Sequence, residues 1–574
     1  MKLNLILSAC LLLIFNAISA QNRPDAAADT AFSNSSGISS INADKQTVKN
    51  LALLGQVWGF VKYHLPIVAD GKVNMDAELF RLMPGVINAK SNTDACAAIE
   101  KWVDGLGKPK VCKRCQPFDK KDVIQAPDYG ILFDKQKVTG TLADKLTYIL
   151  NNRNTGDNYY IKMADGIGNP IFQHELPYSQ IKYPDAGVRL LTLFRYWNMI
   201  QYFYPYKHLI GTDWNTVLYD FVPQFINDRN EMEYDMTAMK LIASVHDTHA
   251  NIWGPLKGVT AFRGDFAPPF QAKFIENKLM ITAFFSDTSK TKTLLKVEDI
   301  ITSINGASVD SLIKKYLPIT AASNYETQLR DMPRNYLLRS SDTVFKFTIV
   351  RNGASEQVEQ KAVKYYTLNY ASLPLTNTPG YYVMDGNIGY LYPGKYYSKN
   401  LGDIKKTFKD TKGIVIDMRC YPSEFMPFTF VPYVKSGKVP FVKFGRVSVD
   451  YPGLFKVGGL TSVPEGGEYK GKVVVIVNAE TQSQSEYTTM ALQSSPNVTV
   501  IGSTTAGADG DVCQIILPGG ISTMISGLEV LYPDGTETQR KGVKINEEVR
   551  PTIAGIKAGR DELLERSKAI INGK

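Results

Sequence analysis

A serine becomes a useful nucleophile where three things coincide: a backbone that exposes it, free amide groups beside it, and a base within reach. The run Lys472-Val-Val-Val-Ile-Val477 reads as a strand buried on both faces. It ends in Asn478-Ala-Glu-Thr-Gln-Ser483-Gln-Ser485-Glu486, which reads as the entry to a helix. A helix N-terminus offers unpaired N–H groups and a positive dipole end, which suit a developing oxyanion. The residues alone favour an ordinary cap, with Ser483 or Ser485 at the N-cap and Glu486 in the first turn. For a base, the chain holds only five histidines. His246 and His249 bracket Asp247-Thr248 at the end of an amphipathic segment; either could take a proton, and either could be a partly buried structural residue. A zinc reading of His246, Asp247 and His249 lacks a third convincing ligand, so no metal and no cofactor is expected.

The elements that must position these residues follow from the rest of the chain. The 574 residues, 44% hydrophobic and 11% aromatic, exceed what one core supports and imply two to four domains. The net charge of +9 is spread thinly, without a Lys/Arg block, so no nucleic-acid partner is expected. Lys2, the apolar stretch Leu3 to Ile18 and the small pair Ser19-Ala20 before Gln21 form a secretory leader over residues 1–20. A lipid-attachment reading at Cys10 is disfavoured, because most of the apolar run follows it. No later stretch approaches the roughly 18 apolar residues of a membrane span, so the mature chain is expected to be exported, periplasmic or secreted. Of its five cysteines, Cys112-Lys-Arg-Cys115 is read as a local structural disulfide in preference to a redox or zinc site.

Residues 21–45, rich in Ala, Ser, Asn and Asp, read as a flexible linker. An internal repeat follows, because residues 51–107 align with 190–246 at an offset of 139 without a gap. The alignment pairs Trp58 with Trp197, Tyr63 with Tyr202, Pro66 with Pro205, Leu79 with Leu218 and Pro84 with Pro223. Each copy reads as a small helical unit, and the pair as a duplication. The first copy ends in Gly105-Leu106-Gly107-Lys108 and the second in the histidine segment, so one structural and one functional copy are expected. Short β-rich runs occupy 265–352, and Val297 to Gly306 resembles the strand–turn of a PDZ module, which captures peptide C-termini at a sheet edge. From 375 onward, buried runs at Ile388–Tyr392, Gly413–Asp417, Val473–Val477 and Val498–Ile501 alternate with helical stretches, the pattern of α/β layering.

Three segments in one order carry a family resemblance: Gly413-Ile-Val-Ile-Asp417-x-Arg419, Asn478-x4-Ser483-x-Ser485-Glu486, and Ile501-Gly502-x-Thr504-Thr505-Ala506-Gly507. Together with Asp247-Thr248-His249-Ala250 they resemble the tail-specific, or C-terminal processing, serine peptidases and the related tricorn core. The resemblance covers roughly residues 185–570. It implies an α/β fold with a ClpP/crotonase-like protease core at 375–570, a helical cap at 185–258 and a PDZ-like insert at 259–370. A degenerate copy of the cap, with the Cys-x-x-Cys extension, would occupy 46–180. It also implies Ser483 as nucleophile. The branch that uses a lysine carries it in a T-F-G-K-G turn; here Ala508 takes that place, which excludes a Ser/Lys dyad. The tricorn-like branch uses a histidine after a small hydroxyl residue, and Thr248-His249 fits, with Asp247 adjoining. The residue that orients the histidine maps to Gln539, counted back from Gly542-Val543, with Glu537 as substitute. The oxyanion donors map to the backbone N–H groups of Gln484 and Cys420. Cys420 lies in Arg419-Cys420-Tyr421-Pro422-Ser423-Glu424, where the family has R-G-N-P-G-G.

The expected function is hydrolysis of peptide bonds in a peptide or protein substrate through an acyl-enzyme on a Ser/His pair. The alternative is a catalytically inactive member that binds peptides or other ligands, motivated by Ala508, the missing glycines and Gln539. A glycoside-directed reading finds no paired carboxylates, and the aromatics are more simply core residues of the helical units.

Overall fold

The computed structural model describes residues 25–285 and 293–574, so the leader expected at 1–20 lies outside the described residues. The first helical unit comprises α1 (Lys45–His64), α2 (Met75–Ile87) and α3 (Asn92–Leu106), with N-caps Asp44, Asn74 and Ser91. The second comprises α4 (Ala186–Phe203), α5 (Trp214–Asn227) and α6 (Glu231–Ala243), with N-caps Asp185, Asp213 and Asn230. Each cap side chain accepts from amides of the first turn, the donors a helix start cannot satisfy itself. Trp58 Nε1 donates to the Met75 carbonyl at 2.7 Å, and Trp197 Nε1 donates to the Trp214 carbonyl at 2.7 Å. Donors and acceptors in the two bonds differ by the same 139 positions.

Helices α1 and α4 pack directly together. A Cβ on Gly55 would lie 2.5 Å from the Phe194 ring, and one on Gly59 would lie 1.9 Å from the Asn198 side chain. Tyr63 meets Tyr202 with ring centroids 5.8 Å apart, and Asn198 Nδ2 donates to the Gly55 carbonyl at 2.9 Å. The pairs Gly55/Phe194, Gly59/Asn198 and Tyr63/Tyr202 hold equivalent places in their own units, at steps of one helical turn, and the Asn198–Gly55 bond is offset by one further turn. Contacts of that kind require the helices to run parallel. The same junction buries charge: Arg195 on α4 pairs with Asp76 on α2 at 2.7 Å and with Glu175 at 2.8 Å. Lys62 on α1 completes the group by pairing with Glu175 at 2.6 Å.

Between the second unit and the core lies an antiparallel sheet. Its strands β2 (Phe270–Ile275), β3 (Lys278–Phe284), β4 (Ile300–Ile304), β5 (Val344–Arg351) and β6 (Ala354–Lys361) run in the order β6-β5-β4-β3-β2. Helices α7 (Val309–Tyr316) and α8 (Tyr325–Met332) connect β4 to β5. Strand β2 is an edge.

The core sheet has the order β7-β8-β9-β12-β13-β17, built from β7 (Tyr381–Met384), β8 (Ile388–Leu391), β9 (Gly413–Asp417), β12 (Lys472–Val477), β13 (Val498–Gly502) and β17 (Glu547–Glu548). From β8 onward neighbours are parallel, with Asp417 opposite Ile476 and Val477 opposite Gly502. Strands β9 and β12 are apolar in succession because both faces are covered. Helices α9 (Leu401–Phe408) and α10 (Gln484–Gln493) pack on one face and α11 (Glu562–Ile571) on the other. A second sheet, β1-β11-β10-β16, joins β10 (Val442–Val447), β11 (Phe455–Thr461) and β16 (Glu529–Leu531) to β1 (Val123–Gln125). The extension after the first helical unit therefore docks on the core. It carries the Cys112–Cys115 disulfide; Cys96, Cys420 and Cys513 are free and buried. A hairpin of β14 (Val512–Leu517) and β15 (Ile521–Ser526) reaches toward the second helical unit. Among the described residues no helix is long and apolar enough to cross a membrane.

The junction gives a direct test. Gly59→Ala forces a methyl group into Asn198 and should destabilise the chain by about 1–3 kcal/mol, read as a lower urea midpoint. An unchanged midpoint would mean that the two helices can separate at no cost. A second test concerns Glu529, which is buried against Gly445 with neither carboxylate oxygen hydrogen-bonded among the described residues. Burial, reinforced by Glu537, lifts its pKa to about 8. A raised acid binds its proton more tightly in the folded state, so its contribution is present at low pH and is lost as pH rises through about 8. Between pH 5 and pH 9 the thermal midpoint of the wild type should fall more steeply than that of Glu529→Gln. Parallel curves would refute it.

Candidate active site

Strands β9 and β12 end side by side, and the chain leaves both at the edge where open α/β sheets bind ligands. After β12, the Glu480 amide donates to Asn478 Oδ1 at 2.9 Å, and Thr481 Oγ1 donates to the Met418 carbonyl beyond β9 at 2.7 Å. Ser483 follows at the N-cap of α10 with φ 55° and ψ −119°, a left-handed backbone for a residue with a Cβ. That conformation costs about 1–3 kcal/mol and persists only where surroundings enforce it. Here the Ser483 amide donates to the Ala508 carbonyl at 2.9 Å and to Glu486 Oε2 at 3.1 Å. Glu486 also accepts from Thr505 Oγ1 at 2.5 Å, the Gly507 amide at 2.9 Å and the Ala508 amide at 3.1 Å. Burial raises the Glu486 carboxyl while these donors pull it down. One carboxylate thus fastens the serine to the turn 505–508.

Two amides sit beside the serine. Gln484 is the first residue of α10, and Cys420 lies in the segment after β9, drawn against the helix by Ser485 Oγ donating to the Cys420 carbonyl at 2.6 Å. Neither the Gln484 nor the Cys420 amide makes a hydrogen bond among the described residues, so both are free to donate. Burial pushes the Cys420 thiol well up, which makes it inert as a nucleophile. The segment is anchored by Arg419, which pairs with Asp417 at 2.6 Å and Asp561 at 2.7 Å.

The histidine segment follows α6. The His249 ring is buried, and its Nδ1 lies 2.9 Å from Ser526 Oγ at the end of β15. Ser526 Oγ donates to Asp247 Oδ1 at 3.1 Å, so its single proton is committed and the network assigns the Nδ1 proton to His249. Asp247 is fully buried. It accepts from the Ser526 amide at 2.6 Å and the His249 amide at 3.0 Å, and lies 3.6 Å from Nδ1. Burial works to raise its pKa, but the bonds to His249 and Ser526 outweigh that and hold it below the usual carboxylate range. This arrangement leaves Nε2 as the basic nitrogen.

Neither residue expected to orient the histidine touches it. Gln539 Nε2 is 3.4 Å from both Tyr204 OH and Ser323 Oγ, while Glu537 sits near the surface, 2.5 Å from His208 Nε2. The groups beside His249 Nδ1 are Asp247 and Ser526. Ser526 lies 277 residues from His249, and no sequence signal pointed to it. His246 has φ 53°, and burial together with Arg540 lowers its pKa. Thr248 ties the segment to the core and insert: its Oγ1 donates to the Ala506 carbonyl at 3.2 Å, and its amide donates to Ser323 Oγ at 2.9 Å. No hydrogen bond joins Ser483 to His249. Ser483 abuts Ala508, and His249 is near enough to Asp511 to pull down a carboxyl that burial raises. The two residues flank one short segment.

Ser483, His249 and two free amides are thus gathered around the carboxyl ends of β9 and β12 and the segment that follows β13. Residues 442–549 match the model of peptidase family S41. That segment of the chain is therefore similar to the tail-specific serine peptidases. Among solved structures, mature CPAF complexed with lactacystin aligns with TM-score 0.52 at 12% identity, over 68% of this chain and 99% of that one. Mature CPAF alone gives TM-score 0.51 at 13% identity, over 67% and 96%. The photosystem II D1 C-terminal processing protease gives 0.37 at 15%, over 63% and 93%. No curated protein matches the chain by sequence.

Asp247→Asn should lower kcat for peptide hydrolysis by about 10²–10⁴-fold, because an amide does not stabilise the imidazolium. Ser526→Ala should lower it by roughly tenfold with KM little changed. Glu537→Gln should leave both constants within about twofold, the scale of surface substitutions. A large loss in Glu537→Gln with none in Asp247→Asn would reverse the assignment.

Proposed function

We propose that this chain is an exported serine endopeptidase that cleaves peptide bonds through an acyl-enzyme on Ser483, with His249 as general base. The observation that carries it is Ser483 at a strained strand-to-helix turn between two free amides. In the first step Ser483 Oγ bonds to the substrate carbonyl carbon, and its proton passes to His249 Nε2. The oxyanion accepts from the Gln484 and Cys420 amides. His249 then returns the proton to the leaving amine, the C–N bond breaks, and the acyl-enzyme remains. A water deprotonated by the same nitrogen attacks the ester, and Ser483 leaves as the alcohol. Asp247, through Ser526, holds the imidazole in the tautomer this requires. Pairing Ser483 with His249 needs the cap loop to close over substrate, since free sites are often looser than loaded ones.

We infer a peptide-guiding role for the PDZ-like insert at 259–370. An extended peptide would add to edge strand β2 beside α8. Two contacts support this reading. Lys273 on β2 reaches Glu480 at 3.1 Å, and Arg330 on α8 donates to the Ala479 carbonyl at 2.7 Å, both in the loop that leads to Ser483. The helical units at 46–180 and 185–258 are inferred to be a duplication whose first copy is a scaffold. The paired Trp–carbonyl bonds support that reading. Export rests on the leader reading of residues 1–20, and the Cys112–Cys115 bond suits an oxidising compartment.

A second reading, a peptide-binding protein without activity, is favoured by the missing Ser483–His249 bond and by Ala508. A fluorophosphonate probe separates the two. The proposal expects a mass adduct on Ser483, absent in Ser483→Ala and much slowed in His249→Ala. Peptide turnover should fall more than about a thousandfold in Ser483→Ala. No adduct, and equal turnover in wild type and Ser483→Ala, would leave only the binding reading.

A further inference from the structure

The stretch from Tyr421 to Phe428, which begins where the family has glycines and runs past them, carries large apolar side chains to the surface. Phe425 and Phe428 are each 47% exposed, and Tyr421 is 59% exposed. Surface aromatics are unremarkable singly, but a contiguous group beside a reactive centre marks a binding surface. These rings are fixed in place. Phe425 stacks on Tyr487 with centroids 5.8 Å apart, and Phe428 lies 5.9 Å from Phe425. Tyr487 in turn packs edge-on against Phe441 at 5.1 Å, which is buried.

Two contacts place this wall at the nucleophile. Tyr487 lies in the first turn of α10, and its amide donates to the Ser483 carbonyl at 2.9 Å, which holds its position close to the nucleophile. Gln484, whose amide faces the oxyanion position, donates its side-chain Nε2 to the Glu424 carbonyl at 2.8 Å. Glu424 is fixed in turn by accepting from the Ser398 amide at 2.7 Å. A peptide whose carbonyl reaches Ser483 therefore passes Phe425, Phe428 and Tyr487 with a side chain adjacent to the bond being cut.

We propose that Phe425, Phe428 and Tyr487 form the subsite for a bulky apolar side chain, aromatic by preference, that flanks the scissile bond. Rings offset-stacked on Phe425 gain contact beyond area burial, while an acidic side chain would meet Tyr487, which already feels the nearby acids Asp509 and Asp511. The inference rests on Ser483 as the nucleophile, and its test has one arm that needs no turnover.

In the binding arm, acetylated hexapeptides with a single central Phe, Leu, Ala or Asp are titrated into the mature Ser483→Ala chain by calorimetry. The Phe peptide should bind at least about tenfold more tightly than the Ala peptide, the scale of discrimination an apolar pocket reaches. Adding Phe425→Ala and Phe428→Ala should abolish that preference, while Phe425→Leu keeps the preference for Leu over Asp. Both positions are exposed, and the circular dichroism and thermal midpoint of each variant serve as folding controls. Equal binding of all four peptides, no binding of any, or a preference that survives the double substitution would each overturn the subsite.

In the turnover arm, wild type and Phe425→Ala/Phe428→Ala cleave the same peptides, with cut sites mapped by mass spectrometry. The double variant should lose at least about tenfold in kcat/KM on the Phe peptide and less than about twofold on the Ala peptide. An equal loss on both peptides would overturn the subsite while leaving the nucleophile intact. Binding with the Phe preference but without turnover in the wild type would support the subsite and overturn the peptidase reading.

Discussion

The site depends on the carboxylate of Glu486. It receives four hydrogen bonds, from Ser483, Thr505, Gly507 and Ala508, inside a region closed to water. Without it two irregular segments from different β-strand ends would be joined near the serine only by backbone bonds such as that from Ser483 to Ala508. The strained backbone at Ser483 would then relax toward an ordinary cap. A single buried acid is a costly anchor, and it is tolerated because the Thr505 hydroxyl and the Gly507 and Ala508 amides would otherwise be orphans themselves. Ala508 follows from the same arrangement. With the turn fastened by backbone amides, its side chain is free to be small, and the proposed base, His249, comes from the segment after α6.

That choice explains why so much of the chain converges on residues 505–508. The histidine loop reaches them through Thr248, the β-rich insert through Asn324, and Arg540 through its own amide donating to Gly507. Ser323 stands at the crossing, bonded to Thr248 on one side and to Arg540 on the other. A site assembled from three separate stretches of chain is sensitive to their relative placement. A shift of an ångström at Ser323 is felt at the His249 loop, whereas a lysine carried on the turn itself would move with the serine.

Much of this was legible in the chain. Continuous apolar runs with flanking turns marked β8, β9, β12 and β13, because strands covered on both faces cannot alternate. The spacing after Val477 marked the entry to α10, and the offset of 139 marked two units whose helices start within two residues of register. What stayed hidden was set by distance along the chain or by the other faces of known residues. Ser526 is one polar residue in an apolar hairpin, and nothing local distinguishes it from any strand serine. Glu486 looked like a first-turn acid because it is one; its three other donors come from residues 505–508. Counting back from Gly542 led to Gln539 and Glu537, but the adjoining Asp247 needs no counting, only the fold of its own loop. The sheet β1-β11-β10-β16 was missed because β11, Phe455–Thr461, contains two glycines and does not alternate.

The buried ions between the helical units bear on the order in which the molecule can be made. Lys62 and Asp76 precede Glu175 and Arg195 by 113 and 119 residues, so the leading unit alone holds one cation and one anion that attract each other but lacks the ion-pair partner of each. Its facing surface must stay hydrated until about a hundred further residues have followed, the separation Asp76 keeps from Arg195. Completion of the scaffold is thereby timed by the appearance of α4, the first helix of the unit that carries the histidine. The early half of the chain is kept open, in the sense of a latch awaiting its catch, until the half with the chemistry has arrived.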